Sequence, residues 1–212
     1  MDKQLKLTPS MVIRRGHYLY FLYYWIYCHI NDYRIASKNL NHTILNDSPD
    51  AFPVQCISYQ YIKELLKCYN FSDNDVFVDV GCAWGRLIGY MRLHTPVKKF
   101  YGVDLNSEVA EFAQKIFKND DRVTIISGNI LENLPMDGTI FYLFNPFAAN
   151  VLDSFLSCIE EKMDHSIKIL YLYPLYKEIF FTHTDKWHLL ETKMLKPRWL
   201  GEIEMCIYEF NP

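Results

Sequence analysis

The chain has 212 residues, half of them apolar and 16% aromatic, so it can bury a full core and is not a disordered polymer. Its formal charge is −3 with the 22 Lys and Arg scattered, which argues against a nucleic-acid binder that gathers its cations into one patch. The six cysteines (Cys28, Cys56, Cys68, Cys82, Cys158, Cys206) form no C-x-x-C pair and no zinc-like spacing with the seven histidines. They are read as reduced thiols of a cytoplasmic protein, with no metal site.

In chain order, residues 1–51 are expected to form an N-terminal helical extension or lid, and residues 52–212 the main domain. The stretch 18–30, from Tyr18 to Ile30, is almost wholly aromatic and aliphatic and follows Arg14-Arg15. As a helix it would reach about 20 Å, short of the roughly 30 Å of a bilayer core. It is Tyr-rich and no A-x-A-like cleavage site follows, which argues against a signal peptide. It is read as a helix packed on the domain, perched over the active site. A membrane-interface contact is the weaker alternative. Residues 39–50, with Asn41, Asn46, Asp47, Ser48, Pro49 and Asp50, read as a loop.

From Ile57 the pattern becomes regular. Tyr61, Ile62, Leu65, Leu66 and Tyr69 recur at helical spacing, and 72–75 is a turn. Val76 to Val80 is a β-branched strand that carries Asp79. Residues 84–94 are helical, closed by Pro96. Residues 100–103 form a second strand that ends at Asp104. Asn106 is placed to cap the next helix, whose apolar stripe is Val109, Phe112, Ala113, Ile116 and Phe117. Strands follow at 122–127, 139–144 and 167–173, with a helix marked by Val151, Leu152, Phe155, Leu156 and Ile159 before the last of them. Two more strands, 187–195 and 202–210, have no helix between them. The alternation predicts an α/β, Rossmann-like, doubly wound sheet: mostly parallel, closed by an antiparallel C-terminal strand pair, with helices on both faces.

Such sheets bind ligands at the carboxyl ends of their strands. The chemistry-bearing residues fall there in order: Asp79 to Gly85, Asp104, Gly128-Asn129, and Asn145-Pro146-Phe147. The dinucleotide fingerprint G-x-G-x-x-G fails, because Ala83 and Arg86 stand where its second and third glycines belong. A nicotinamide oxidoreductase is therefore disfavoured. Each residue also has a plainer reading. Gly81 and Gly85 serve any strand-to-helix turn, Asp104 suits a helix start, and Asn129 suits a turn. Asn145-Pro146 could simply cap and begin the following helix.

The spacing D-x-G-x-x-x-G resembles motif I of the class I S-adenosylmethionine (SAM)-dependent methyltransferases, with Ala83 at the middle glycine. Phe100-Tyr-Gly-Val-Asp104-Leu resembles that family's second-strand motif, Ser127-Gly-Asn129-Ile130 its third, and Asn145-Pro146-Phe147 its motif IV with one proline missing. The combination of VDVG-x-x-x-GR with NPF is similar to that of a bacterial subgroup. The resemblance implies SAM as cofactor, S-adenosylhomocysteine as product, and Asp79, Gly81, Cys82, Ala83, Gly85, Asp104, Leu105, Asn129 and Ile130 around it. Asp104 would take the ribose hydroxyls, and Asp79 would order the loop or meet the methionine ammonium. Asn145, Pro146 and Phe147 would position the methyl acceptor, a nitrogen or oxygen nucleophile that the sequence does not identify. Tyr173 and Pro174 would line its side, with Tyr59 in a lid. The competing expectation is a SAM-binding module of the same fold that has lost turnover.

Overall fold

The structure is a computed structural model and describes residues 18–40, 43–44, 54–183 and 185–212. The polar start, most of the loop expected over 39–50, and the expected division at residue 51 lie outside the described residues. Within that loop, β1 (Thr43–Ile44) pairs antiparallel with β2 (Val54–Gln55), so the segment carries a short strand that its polar composition concealed.

The other seven strands form one sheet: β3 (Val76–Val80), β4 (Lys99–Asp104), β5 (Val123–Ser127), β6 (Ile140–Leu143), β7 (Ile167–Leu172), β8 (Trp187–Leu195) and β9 (Ile203–Phe210). Their spatial order is β5-β4-β3-β6-β7-β9-β8. The first five run parallel, and β9 enters antiparallel between β7 and β8. This is the expected architecture. The order reverses direction between β3 and β6, and in open sheets of this kind the crevice at the carboxyl ends beside such a reversal is the usual ligand site.

Alternation along each strand sends side chains to two separate cores. Phe77 and Phe100 face one side, covered by α1 (Tyr18–Ala36), α2 (Tyr59–Cys68), α3 (Arg86–His94) and α4 (Ser107–Phe117). Val78 and Val80 face the other, covered by α5 (Ala149–Lys162) and by a 3₁₀ turn at Lys177–Thr182 that the sequence pattern did not announce. Helix α2 is capped by Ser58, whose hydroxyl accepts from the Gln60 amide, and α4 by Asn106, which accepts from Val109.

Helix α1 runs six residues past the expected end at Ile30. Its extra turn holds buried Asn31, Asp32 and Ile35, and it closes where Ser37 turns left-handed at φ 53°. Among the described residues no helix is long and apolar enough to cross a membrane. All six cysteines are free thiols.

Candidate functional site

The segment between β3 and α3 is a tight turn held from several sides. Gly81 and Cys82 both donate their amides to the Val103 carbonyl, at 2.8 and 3.1 Å, which binds the turn to the neighbouring strand. Gly81, Ala83 and Gly85 all have φ between 48° and 78°. The left-handed region costs a glycine little and an alanine more, so Ala83 needs support. Asp104 provides it: its Oδ2 accepts from the Ala83 amide at 2.8 Å, while Oδ1 accepts from Asn106 at 3.0 Å. Gly85 must be glycine on two counts. Its φ is 78°, and a Cβ there would sit 2.6 Å from the Phe117 ring of α4. Helix α3 begins at Arg86, two residues later than expected, because this turn consumes the intervening chain.

Asp79 and Asp104 are both buried. Among the described residues neither joins an ion pair. Burial raises the Asp79 carboxyl to about 8, and the nearby Asp104 charge adds to the shift. Burial also raises Asp104, against the two amides that favour its ionised form. Beside Asp79, in register on β6, lies Tyr142. Its hydroxyl is buried without a hydrogen-bond partner. Two buried acids and an unpartnered hydroxyl form a site short of positive charge, and such a site stabilises a bound cation.

Around this centre the expected residues separate. Gly81 and Leu105 are exposed at the strand ends, whereas Cys82 is buried under the turn. Ile130 is buried in the opposite core. Asn129 spends its side-chain oxygen on the Leu131 amide at 3.0 Å and so makes the turn its residue type favours. Pro146 touches the turn directly, since a Cβ at Gly81 would lie 3.1 Å from the Pro146 Cβ. The first and fourth motifs are therefore in contact.

Asn145 does not cap a helix: α5 starts at Ala149, with Ala148 before it. Instead Asn145, buried and left-handed at φ 46°, bridges to the end of β7. Its Nδ2 donates to the Tyr173 carbonyl at 2.6 Å and its Oδ1 accepts from Leu175 at 3.3 Å. Tyr173 is itself left-handed at φ 51°. Phe147 turns away from the crevice and packs on Phe155 of α5, ring centroids 5.6 Å apart. Tyr59 is fully buried rather than part of a lid, and its hydroxyl donates to Asp32 at 2.6 Å.

Sequence reasoning missed Asp32 altogether. It is the sole acid of α1, and a lone acid in an aromatic helix is the signal that marks it. It forms a buried ion pair with Arg86, the residue that follows Gly85. A cleft of about 500 Å³ opens alongside, between Tyr33, Lys38, Trp84, Glu108 and Phe112. It borders the turn at Trp84 but is not lined by Asp79, Asp104 or Leu105.

The FtsJ-like methyltransferase family matches this chain over residues 62–175, more than half of its 212 residues. A protein-lysine N-methyltransferase from Saccharolobus islandicus (strain REY15A) is 31% identical over 86 residues, 39% of this chain and 53% of that protein. The chain thus matches about half the length of that relative. An RNA methyltransferase from Salinibacter ruber, solved in complex with S-adenosyl-L-homocysteine, is similar at TM-score 0.56 and 15% identity, over 73% of this chain and 92% of that one. The B. subtilis M1A22 tRNA methyltransferase TrmK is similar at TM-score 0.59 and 11% identity, over 74% of this chain and 67% of that one. At these identities the structural likeness is one of fold.

Proposed function

The chain belongs to the FtsJ-like methyltransferase family, and from that premise we propose that it binds SAM at the carboxyl ends of β3 and β4 and directs its methyl group to a nitrogen or oxygen nucleophile. The observation that carries this reading is the turn at 81–85, pinned by Asp104 and set beside a second buried carboxyl, Asp79, with neither acid in an ion pair among the described residues. That donor set fits a ligand bearing an ammonium and a sulfonium. Asp79 and the Tyr142 hydroxyl would receive the ammonium. The unused lone pairs of Asp104 would accept from ribose hydroxyls, a charge-assisted contact. Leu105, exposed at the strand end, would lie against the adenine.

When bound, the cofactor supplies a methyl group on a positively charged sulfur. The protein then has little bond-making to assist, and its contribution is orientation, on the order of 7–11 kcal/mol when reactants are well aligned. Pro146 against Gly81 fixes the distance between the donor loop and the acceptor side. Asn145 holds the segment 173–175 that borders that side. In this reading Asn145 is a positioning residue, because both ends of its amide are already engaged with backbone.

Isothermal titration with SAM and S-adenosylhomocysteine tests the binding half. A radiolabelled-methyl screen of extract fractions split into protein, nucleic acid, glycan and small molecule tests transfer and identifies the acceptor class. Binding of neither compound sinks the reading. A second reading, a SAM-binding module without turnover, draws support from the same amide of Asn145 and from the Phe147 ring buried on Phe155. It predicts binding with no labelled product in any fraction.

A further inference from the structure

We propose that the outer face of α1 docks this protein onto an anionic lipid bilayer surface, lying on it rather than spanning it. At 100° per residue, Leu22, Tyr23, Ile26, Ile30 and Tyr33 fall within an arc of about 100°. All five are exposed, as is Trp25 beside them at 58%. Cys28, Asn31, Asp32 and Ile35 form the opposite arc and are buried against the domain. The fold therefore uses the mixed arc, with its buried Asn31 and Asp32, and leaves the apolar and aromatic arc exposed. The exposed arc runs about 16 Å from Leu22 to Tyr33 at 1.5 Å per residue, a continuous stripe of the kind that marks an interaction surface.

Charge selects the occupant. Residues 1–38 carry six Lys and Arg against two Asp, a net +4, and the rest of the chain carries 16 against 23, a net −7. One of those two acids, Asp32, is buried in its ion pair with Arg86. Arg34 is exposed beside the stripe, and Lys63 of α2 sits over the Tyr27 ring at 3.9 Å. Cations flanking an apolar, aromatic stripe match the order of a leaflet: charged headgroups, then the interfacial layer where Trp and Tyr are favoured, then acyl chains. A second copy of the chain is disfavoured, since the cations beside the stripe, Arg34 and Lys63, would face their own copies. A nucleic acid is disfavoured because residues 16–33 contain no Lys or Arg, so the stripe itself offers nothing to phosphates.

The test is co-sedimentation of the full chain with vesicles of phosphatidylcholine alone and of phosphatidylcholine with about 30% phosphatidylglycerol, the anionic lipid supplying the surface potential. The full chain is expected to sediment with the anionic vesicles, less so at high salt, and to show a blue shift of Trp25 emission that Trp25→Phe removes. The Ile26→Glu/Ile30→Glu variant, altered only at exposed positions, is expected to lose at least about tenfold in partitioning while its thermal melt is unchanged. Equal sedimentation of parent and variant overturns the proposal, as does no sedimentation of the parent. So does a stripe-dependent dimer by light scattering, or stripe-dependent capture of an oligouridine probe, without vesicle binding. Vesicle binding needs no cofactor, so its outcome is independent of the methyltransferase reading.

Discussion

Arg86 and Asp32 meet through two parallel hydrogen bonds, Nε to Oδ1 at 3.0 Å and Nη2 to Oδ2 at 2.9 Å, with both side chains buried. The same carboxylate accepts from the Tyr59 hydroxyl and the Leu40 amide, and the guanidinium also donates to the Ile57 carbonyl. One acid on α1 thus fastens the first residue of α3, and through it the end of the turn at 81–85. The tie also fixes the helix whose outer face we assign to a membrane surface.

Removing one partner leaves the other charged, buried and alone. Asp32→Ala is expected to lower the unfolding free energy by about 3–5 kcal/mol in urea titrations. The Asp32→Leu/Arg86→Met double variant is expected to recover part of that, and no more, because Tyr59 and Leu40 still lack an acceptor. A loss below about 1 kcal/mol for Asp32→Ala would show the pair to be incidental.

Asp79 gives a pH signature. Its folded pKa, raised to about 8, lies above the ordinary carboxyl value of 3.8. Between those limits the native state holds more protons than the unfolded state, so this group's contribution to stability is complete below the unfolded value and is lost as pH rises toward 8. The slope is at most about 1.4 kcal/mol per pH unit. His94, whose pKa burial lowers, acts in the opposite sense near its own titration, so the parent should be compared with Asp79→Asn. Denaturant midpoints measured from pH 5 to 8 are expected to shift steadily in favour of Asp79→Asn as pH rises, with the largest difference at pH 8.

The same carboxyl links proton release to cofactor binding. From about pH 5.5 to 7, below the ordinary α-amino pKa of about 7.7–8.0, SAM affinity is expected to rise with pH in the parent and to be flat in Asp79→Asn. Calorimetry in buffers of different ionisation enthalpy would detect the released proton. No release in the parent would remove Asp79 from the ammonium site.

Asp104→Asn keeps the shape of the side chain but turns an amide donor toward Ala83 or Asn106. SAM binding is expected to weaken at least tenfold, about 1.4 kcal/mol, with a comparable loss of stability. Unchanged affinity in a folded variant would leave Asp104 as a fastening for the turn alone.

Gly85→Ala is expected to cost about 1–3 kcal/mol, from an alanine held left-handed and from its Cβ against Phe117. Phe117→Leu should relieve the steric part and leave the conformational part. Complete rescue in the double variant would mean that the φ of 78° carries no cost.

What the sequence determined by itself was local. The apolar β-branched run of β3, the helical spacing of the apolar stripe in α4, and the glycines after Asp79 are properties of neighbouring residues. They were enough to mark the strands along the chain, place the turn and set Asp104 at a strand's carboxyl end. The tertiary structure decided everything that depends on residues distant in sequence. Asp32 and Arg86 are 54 positions apart, and nothing in an aromatic helix names the partner of its single acid. Asn145 beside Pro146 has the local form of a helix cap. Its amide instead bonds backbone 28 and 30 positions away, because the parallel pairing of β6 with β7 brings the ends of the two strands together. Phe147 resembles an acceptor-positioning aromatic beyond a strand end, yet the loop after β6 carries it into the α5 core against Phe155. Residue types and their spacing carry local geometry; the commitment of a polar or aromatic group to one partner is settled only when the packed sheet brings that partner within reach.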